Sequence, residues 1–80
     1  MRILATIPHP KFRIVAYTLD SHYYIEIEAG PMKQCYKLPK SKAENLGDIQ
    51  KWLDDSLLEE VNSHFEKMYL SHKGSIDRNL

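Results

Sequence analysis

Four successive segments in the first half of the chain alternate apolar and polar residues with period two. The connections between them are too short for anything but antiparallel return. The segments are residues 2–7, 11–18, 22–29 and 32–38, separated by Pro8-His9-Pro10, Asp20-Ser21 and Gly30-Pro31. These separators are the residue types that punctuate strands, and the segments between them are dense in Val, Ile, Tyr, Phe and Thr, as strands prefer. A parallel crossover needs about a dozen residues or more, so the four segments should form an antiparallel meander.

The register follows from the turns. A two-residue turn at Asp20-Ser21 sets Ala16 opposite Ile25, Ile14 opposite Ile27, Phe12 opposite Ala29 and Thr18 opposite Tyr23. On the other face it sets Arg13 against Glu28, Val15 against Glu26 and Tyr17 against Tyr24. Apolar partners meet and opposite charges meet, which is the sorting that a correct register gives. A turn at Gly30-Pro31 likewise sets Ile25 opposite Tyr36, Tyr23 opposite Leu38 and Glu28 opposite Lys33. For the first hairpin the same reasoning expects Ile7 opposite Phe12, Ala5 opposite Ile14 and Ile3 opposite Ala16.

The second half reads as helix. Ser41-Lys42-Ala43-Glu44 has the form of a capping box, but Gly47 limits it to about a turn. Asp48 is a candidate cap for a short helix presenting Ile49, Trp52 and Leu53. A longer helix begins at Asp54, Asp55 or Ser56, with Ser56 and Glu59 as a second capping box. Leu57, Leu58, Val61, Phe65, Met68 and Tyr69 follow the 3.6-residue period. Acidic residues crowd its start and basic ones its end, the order that the helix dipole favours. Gly74 is the expected stop. Residues 1–74 then form one domain, and residues 75–80 a flexible tail.

One sheet face is apolar, and the helical stripe has no other surface of that size to bury against. The expected fold is therefore α+β in two layers, a four-stranded antiparallel meander covered on one face by the C-terminal helices. Gln34 is the misfit, a polar residue on the inner face of an edge strand.

No helix remains for the other sheet face, and by the expected register it carries three rows. Thr6, Arg13, Glu28 and Lys33 form a charge ladder; Leu4, Val15, Glu26 and Cys35 form a mixed row; Arg2, Tyr17, Tyr24 and Lys37 set two aromatics between two cations. So much apolar surface on an uncovered face suggests association. The candidate partner-binding residues are Arg2, Leu4, Arg13, Val15, Tyr17, Tyr24, Lys33 and Lys37. The expected partner is another protein or a second copy, and pairing through an edge at residues 2–7 or 32–38 is an alternative to the face. A second reading is a weak single-stranded nucleic-acid binder, with bases stacked on Tyr17 and Tyr24 and phosphates held by the flanking cations. Glu26 and Glu28 on the same face count against it, as does the balance of eleven basic against eleven acidic residues.

Composition narrows the classes further. At 42% apolar and 28% charged the chain is too apolar for disorder, and no stretch approaches the ~20 apolar residues of a membrane span. The opening run stops at Pro8, too soon for a secretory leader. A lone cysteine, Cys35, excludes a disulfide framework and a multi-cysteine zinc site, so the reducing cytoplasm is the expected compartment. Charge is divided: residues 1–42 hold seven basic and three acidic residues, and residues 43–80 hold four and eight.

Chemistry-bearing motifs are sparse. Glu60 and His64 lie four apart on one helix, which alone falls short of the three or four converging ligands that zinc requires. Cys35 lies between Lys33 and Lys37, cations that would favour its thiolate, but no histidine is expected beside it. Asp54-Asp55 and Glu59-Glu60 are accounted for by helix capping. No phosphate loop, dinucleotide fingerprint or metalloprotease helix is present. The expectation is a non-enzymatic domain without cofactor or metal.

The run Ala5-Thr6-Ile7-Pro8-His9-Pro10, the alternating strands after it and the acidic helical half resemble small uncharacterised bacterial proteins of similar length. The resemblance covers most of the chain. It implies a bacterial cytoplasmic protein and carries no site residues.

Overall fold

The computed structural model describes the whole chain, Met1–Leu80. Strands β1 (Arg2–Ile7), β2 (Arg13–Thr18), β3 (His22–Ala29) and β4 (Met32–Pro39) form one open antiparallel sheet in sequence order. Helices α1 (Leu46–Trp52) and α2 (Asp55–Asn79) follow. This is the α+β meander with C-terminal helices that the alternation implies.

The two later hairpins adopt the expected register. Arg13 pairs with Glu28, Ile14 with Ile27 and Tyr17 with Tyr24, and Ile25 pairs with Tyr36, Tyr23 with Leu38 and Glu28 with Lys33. Gly30 turns the second of these hairpins at φ +57°, the left-handed region that glycine enters without steric cost. Pro31, whose ring holds φ negative, takes the next position, in keeping with a type II′ turn.

The first hairpin differs from expectation. Ile7 pairs with Ile14 and Ala5 with Ala16, a shift of two residues, and a bulge between Ile3 and Ala5 then moves Ile3 opposite Tyr17 and Arg2 opposite Thr18. The loop explains the first shift. Proline has no N–H for a ladder, so Pro8-His9-Pro10 does not serve as a tight turn. Instead His9 Nδ1 accepts hydrogen bonds from the amides of Lys11 (3.1 Å) and Phe12 (3.2 Å). Its ring also stacks on Phe12, with centroids 4.9 Å apart. The bulge falls on an edge strand, where bulges concentrate and blunt further pairing.

The core lies between the inner sheet face and the helices. Ile14, Ala16, Ile25, Ile27, Ile49 and Val61 are fully enclosed, with Phe12, Tyr23, Ala43 and Phe65 around them. Phe12 and Phe65 meet at 5.5 Å between centroids, and Tyr36 meets the Trp52 ring edge-on at 5.4 Å. The inner-face polar groups are matched. Gln34 Nε2 donates to the Val61 carbonyl at 3.0 Å and Gln34 Oε1 accepts from the Tyr36 hydroxyl at 2.7 Å. The misfit residue thus ties β4 to the second turn of α2. Tyr23 Oη donates to the Glu44 carbonyl at 3.0 Å. Burial, then the negative charge of Glu60, push the Tyr36 phenol above its ordinary value.

Helix starts are set by single side chains. Asn45, rather than Asp48, caps α1 by accepting from the Asp48 amide, while Asp48 reaches back to the Glu44 amide at 2.8 Å. Asp54 caps α2 by accepting from the Leu57 amide at 2.8 Å. Residues 41–44 hold no helix: a turn closed by the Lys42 amide donating to the Pro39 carbonyl at 2.9 Å ends at Lys42, and residues 43–44 are irregular. Gly74 does not end α2, which continues to Asn79, so the expected irregular tail is helical over most of its length. A glycine stop needs a left-handed residue, and Gly30 alone has positive φ. The last turns are held by Lys73 Nζ and Asp77 Oδ2 at 3.0 Å, and by Asn79 Nδ2 donating to the Ser75 carbonyl at 2.9 Å.

His9→Ala should lower stability by about 1 kcal/mol, a Tm decrease of about 4–8 °C in a domain of this size. His9→Asn, which keeps an acceptor near the amides, should recover part of the loss in thermal unfolding followed by circular dichroism.

Candidate interaction surface

The sheet face opposite the helices is open, and β1 reorders its rows. Cross-strand partners share a face. Ile3, and not Arg2, therefore joins Tyr17, Tyr24 and Lys37. Leu4 is the extra residue of the bulge, so two apolar residues stand against Tyr17. Arg2 pairs with Thr18, on the helix-side face, and leaves the tyrosine row. The mixed row becomes Thr6, Val15, Glu26 and Cys35. The bulge is what sequence pattern missed, because unbroken alternation assigns Ile3 to the inner face. Its signal was indirect: a large apolar residue on an edge strand beyond the reach of the helical layer.

Tyr17 and Tyr24 stand side by side with ring centroids 6.1 Å apart and an interplanar angle of 54°, a favourable tilted arrangement for an aromatic pair. Both are half-buried. Ile3 is 68% exposed and Leu4 41% exposed beside them. Val15 corrects the expectation of an exposed apolar contact. It is only 7% exposed although no helix covers it. It lies in a shallow depression of about 130 Å³ that Arg13, Tyr17, Glu26, Glu28 and Lys33 also line.

The charges on this face are mostly answered in place. Arg13 Nη1 is 4.0 Å from Glu28 Oε1, and Lys33 Nζ is 3.5 Å from Glu26 Oε2. The exposed Arg13–Glu28 pair contributes on the order of 0–1 kcal/mol; the Glu26 side chain of the second pair is largely covered, and together the pairs leave little free positive potential. Lys37, next to Tyr24, makes no ion pair.

The Tyr24 phenol is held above its ordinary value. Interaction with the neighbouring Cys35 side chain is the largest cause, followed by desolvation and by electrostatic repulsion from the Cys35, Glu26 and Tyr17 side chains. Cys35 itself is a free, exposed thiol.

The remaining chemistry-bearing residues do not assemble. A concavity of about 420 Å³ lies between the His9 loop and α2, lined by His9, Lys11, Asp55 and Glu59 among others. Its histidine is already engaged, since Nδ1 accepts two backbone amides. No three His, Cys, Asp or Glu side chains come together in a metal-holding group, and His64 lies exposed on α2. No helix is long and apolar enough to cross a membrane. Comparison with family models, curated proteins and solved structures returned no match to this chain.

Cys35→Ala should lower the titration midpoint of Tyr24 toward the ordinary tyrosine value, because it removes the largest raising influence. Ultraviolet titration in a background lacking the other tyrosines, or NMR of the Tyr24 ring, reads this shift.

Proposed function

We propose that the protein is a small non-enzymatic association domain that engages another protein through its open sheet face. The observation that carries this reading is the patch made by Ile3, Leu4 and the Tyr17–Tyr24 pair, large apolar side chains gathered on a face that no helix covers. Contiguous apolar surface of this kind favours partner binding. Tyrosine is well suited to it, with a wide apolar ring and a hydroxyl that can stay hydrated. The paired charges of Arg13 with Glu28 and Lys33 with Glu26 form a polar border that would fix orientation more than add affinity. The same pairing disfavours nucleic acid as the occupant, since phosphate contacts need cations that are free to replace counterions.

Cys35 lies on this face, in the row beside the tyrosines, and can report its occupancy. Iodoacetamide labelling of Cys35, read by mass spectrometry, should slow several-fold either as protein concentration rises or in extract of the producing cells. Tyr17→Ala with Tyr24→Ala should abolish that slowing. A labelling rate that is the same in dilute solution, concentrated solution and extract would overturn the proposal. Salt-sensitive binding of short oligonucleotides would replace it with the nucleic-acid reading.

A further inference from the structure

The β1–β2 loop is closed by an acceptor that can be switched off. The amides of Lys11 and Phe12 both donate to His9 Nδ1, at 3.1 and 3.2 Å, and neither donates to a backbone carbonyl. A ring nitrogen accepts only while it carries no proton, so this geometry requires the neutral imidazole with its hydrogen on Nε2. The ring is half-buried. It lies flat on Phe12, with centroids 4.9 Å apart and planes 10° apart. Phe12 is itself buried and meets the Phe65 ring of α2. One imidazole thus holds the loop shut and roofs an edge of the core.

The same ring borders the concavity of about 420 Å³ between the loop and α2. The charged residues that line this space with it are Lys11 of the loop and Asp55 and Glu59 of α2. Asp55 and Glu59 lie four apart, one above the other on the helix surface. Both are exposed, and neither forms an ion pair. A neutral His9 therefore faces two carboxylates that it does not engage.

We propose that His9 is a pH-sensitive latch on the β1–β2 loop. Neutral, it holds the loop shut; as the imidazolium it releases both amides and turns to Asp55 and Glu59 across the concavity. Protonation places a third N–H where two already converge, so the acceptor is lost and repulsion replaces it. Both amides lie near the surface and pass to water. Histidine makes this change of charge between about pH 5 and 8, where carboxylates ordinarily stay ionised. The two carboxylates favour the charged ring, while the two amides and Lys11 oppose it. Release takes the cover from one face of Phe12 and loosens β1, the edge strand, at its Ile7–Ile14 end. The inference does not rest on the role proposed for the open sheet face.

NMR of the full chain, titrated from about pH 8 to about pH 5, tests the latch. At the alkaline end the ring nitrogen signals of His9 should show a bare Nδ1 and a protonated Nε2. Scalar coupling should then be visible across the hydrogen bonds from the Lys11 and Phe12 amides to Nδ1, with cross-peaks between the His9 and Phe12 rings. On acidification these couplings and cross-peaks should disappear and both amide signals should shift, all with the midpoint of His9 protonation. In His9→Asn, whose side-chain oxygen does not titrate, the two amides should stay constant over the same range, which separates the latch from His22, His64 and His72. Asp55→Asn with Glu59→Gln should still release the loop, but at lower pH. A protonated His9 with its ring contact and both amide signals unchanged would overturn the inference. So would a His9 that stays neutral throughout, the same amide shifts in His9→Asn, or an unmoved midpoint in the carboxamide variant.

Discussion

A pleated sheet has two faces, and this chain has enough helix to cover one. Every later feature follows from how that single helical layer is spent. Ile14, Ala16, Ile25 and Ile27 alternate along β2 and β3 so that their side chains fall on one side, and α1 and α2 close over them with Ile49, Val61 and Phe65. Hydrophobic burial supplies the main drive. The polar ties then fix where the layer sits. Gln34 between Tyr36 and the Val61 carbonyl, and Tyr23 on the Glu44 carbonyl, join strand to helix at two separate points. Because the same alternation sends Tyr17 and Tyr24 to the opposite side, the packing that stabilises the core also presents the tyrosine pair.

The two ends of the molecule escape this layer in different ways. At β1 the sheet extends past the helical cover, and the strand remains exposed except at Ala5, Ile7 and their neighbours on β2. Its bulge adds an unpaired residue and keeps the edge from being a regular template for another strand. At the far end of α2 the helix extends past the sheet, and its apolar stripe continues without a surface beneath it. The fold thus holds two separate exposed apolar regions, one on the open face and one toward the end of α2. They belong to different elements and can be perturbed independently.

Much of this was legible in the residues. The β2–β3 and β3–β4 registers follow from turns whose chemistry is local, since Asp20-Ser21 and Gly30-Pro31 each set one pairing and the face pattern checks it. The inner and outer assignment of Tyr17, Tyr24, Arg13 and Lys33 came with those registers. The β1–β2 register was not legible, because the loop is closed by the His9 imidazole accepting two amides, a contact that no strand pattern encodes. The bulge compounded the error and exchanged Arg2 for Ile3 in the tyrosine row. Val15 was assigned to the correct face, but its burial depends on how the long side chains around it lie. The end of α2 was misread because glycine permits a stop without imposing one. The Lys73–Asp77 pair and the Asn79–Ser75 contact support continuation through Gly74.

The central claim is that the helices cover the face carrying Tyr23 and Tyr36 and leave the face carrying Tyr17 and Tyr24 bare. Assignment of ring contacts by NMR in dilute solution tests this most directly. The account expects cross-peaks from Tyr36 to Trp52, from Tyr23 to the segment around Glu44, and between Tyr17 and Tyr24, with none from Tyr17 or Tyr24 to any residue of α1 or α2. Cross-peaks joining Tyr17 or Tyr24 to Ile49, Val61 or Phe65 would contradict it.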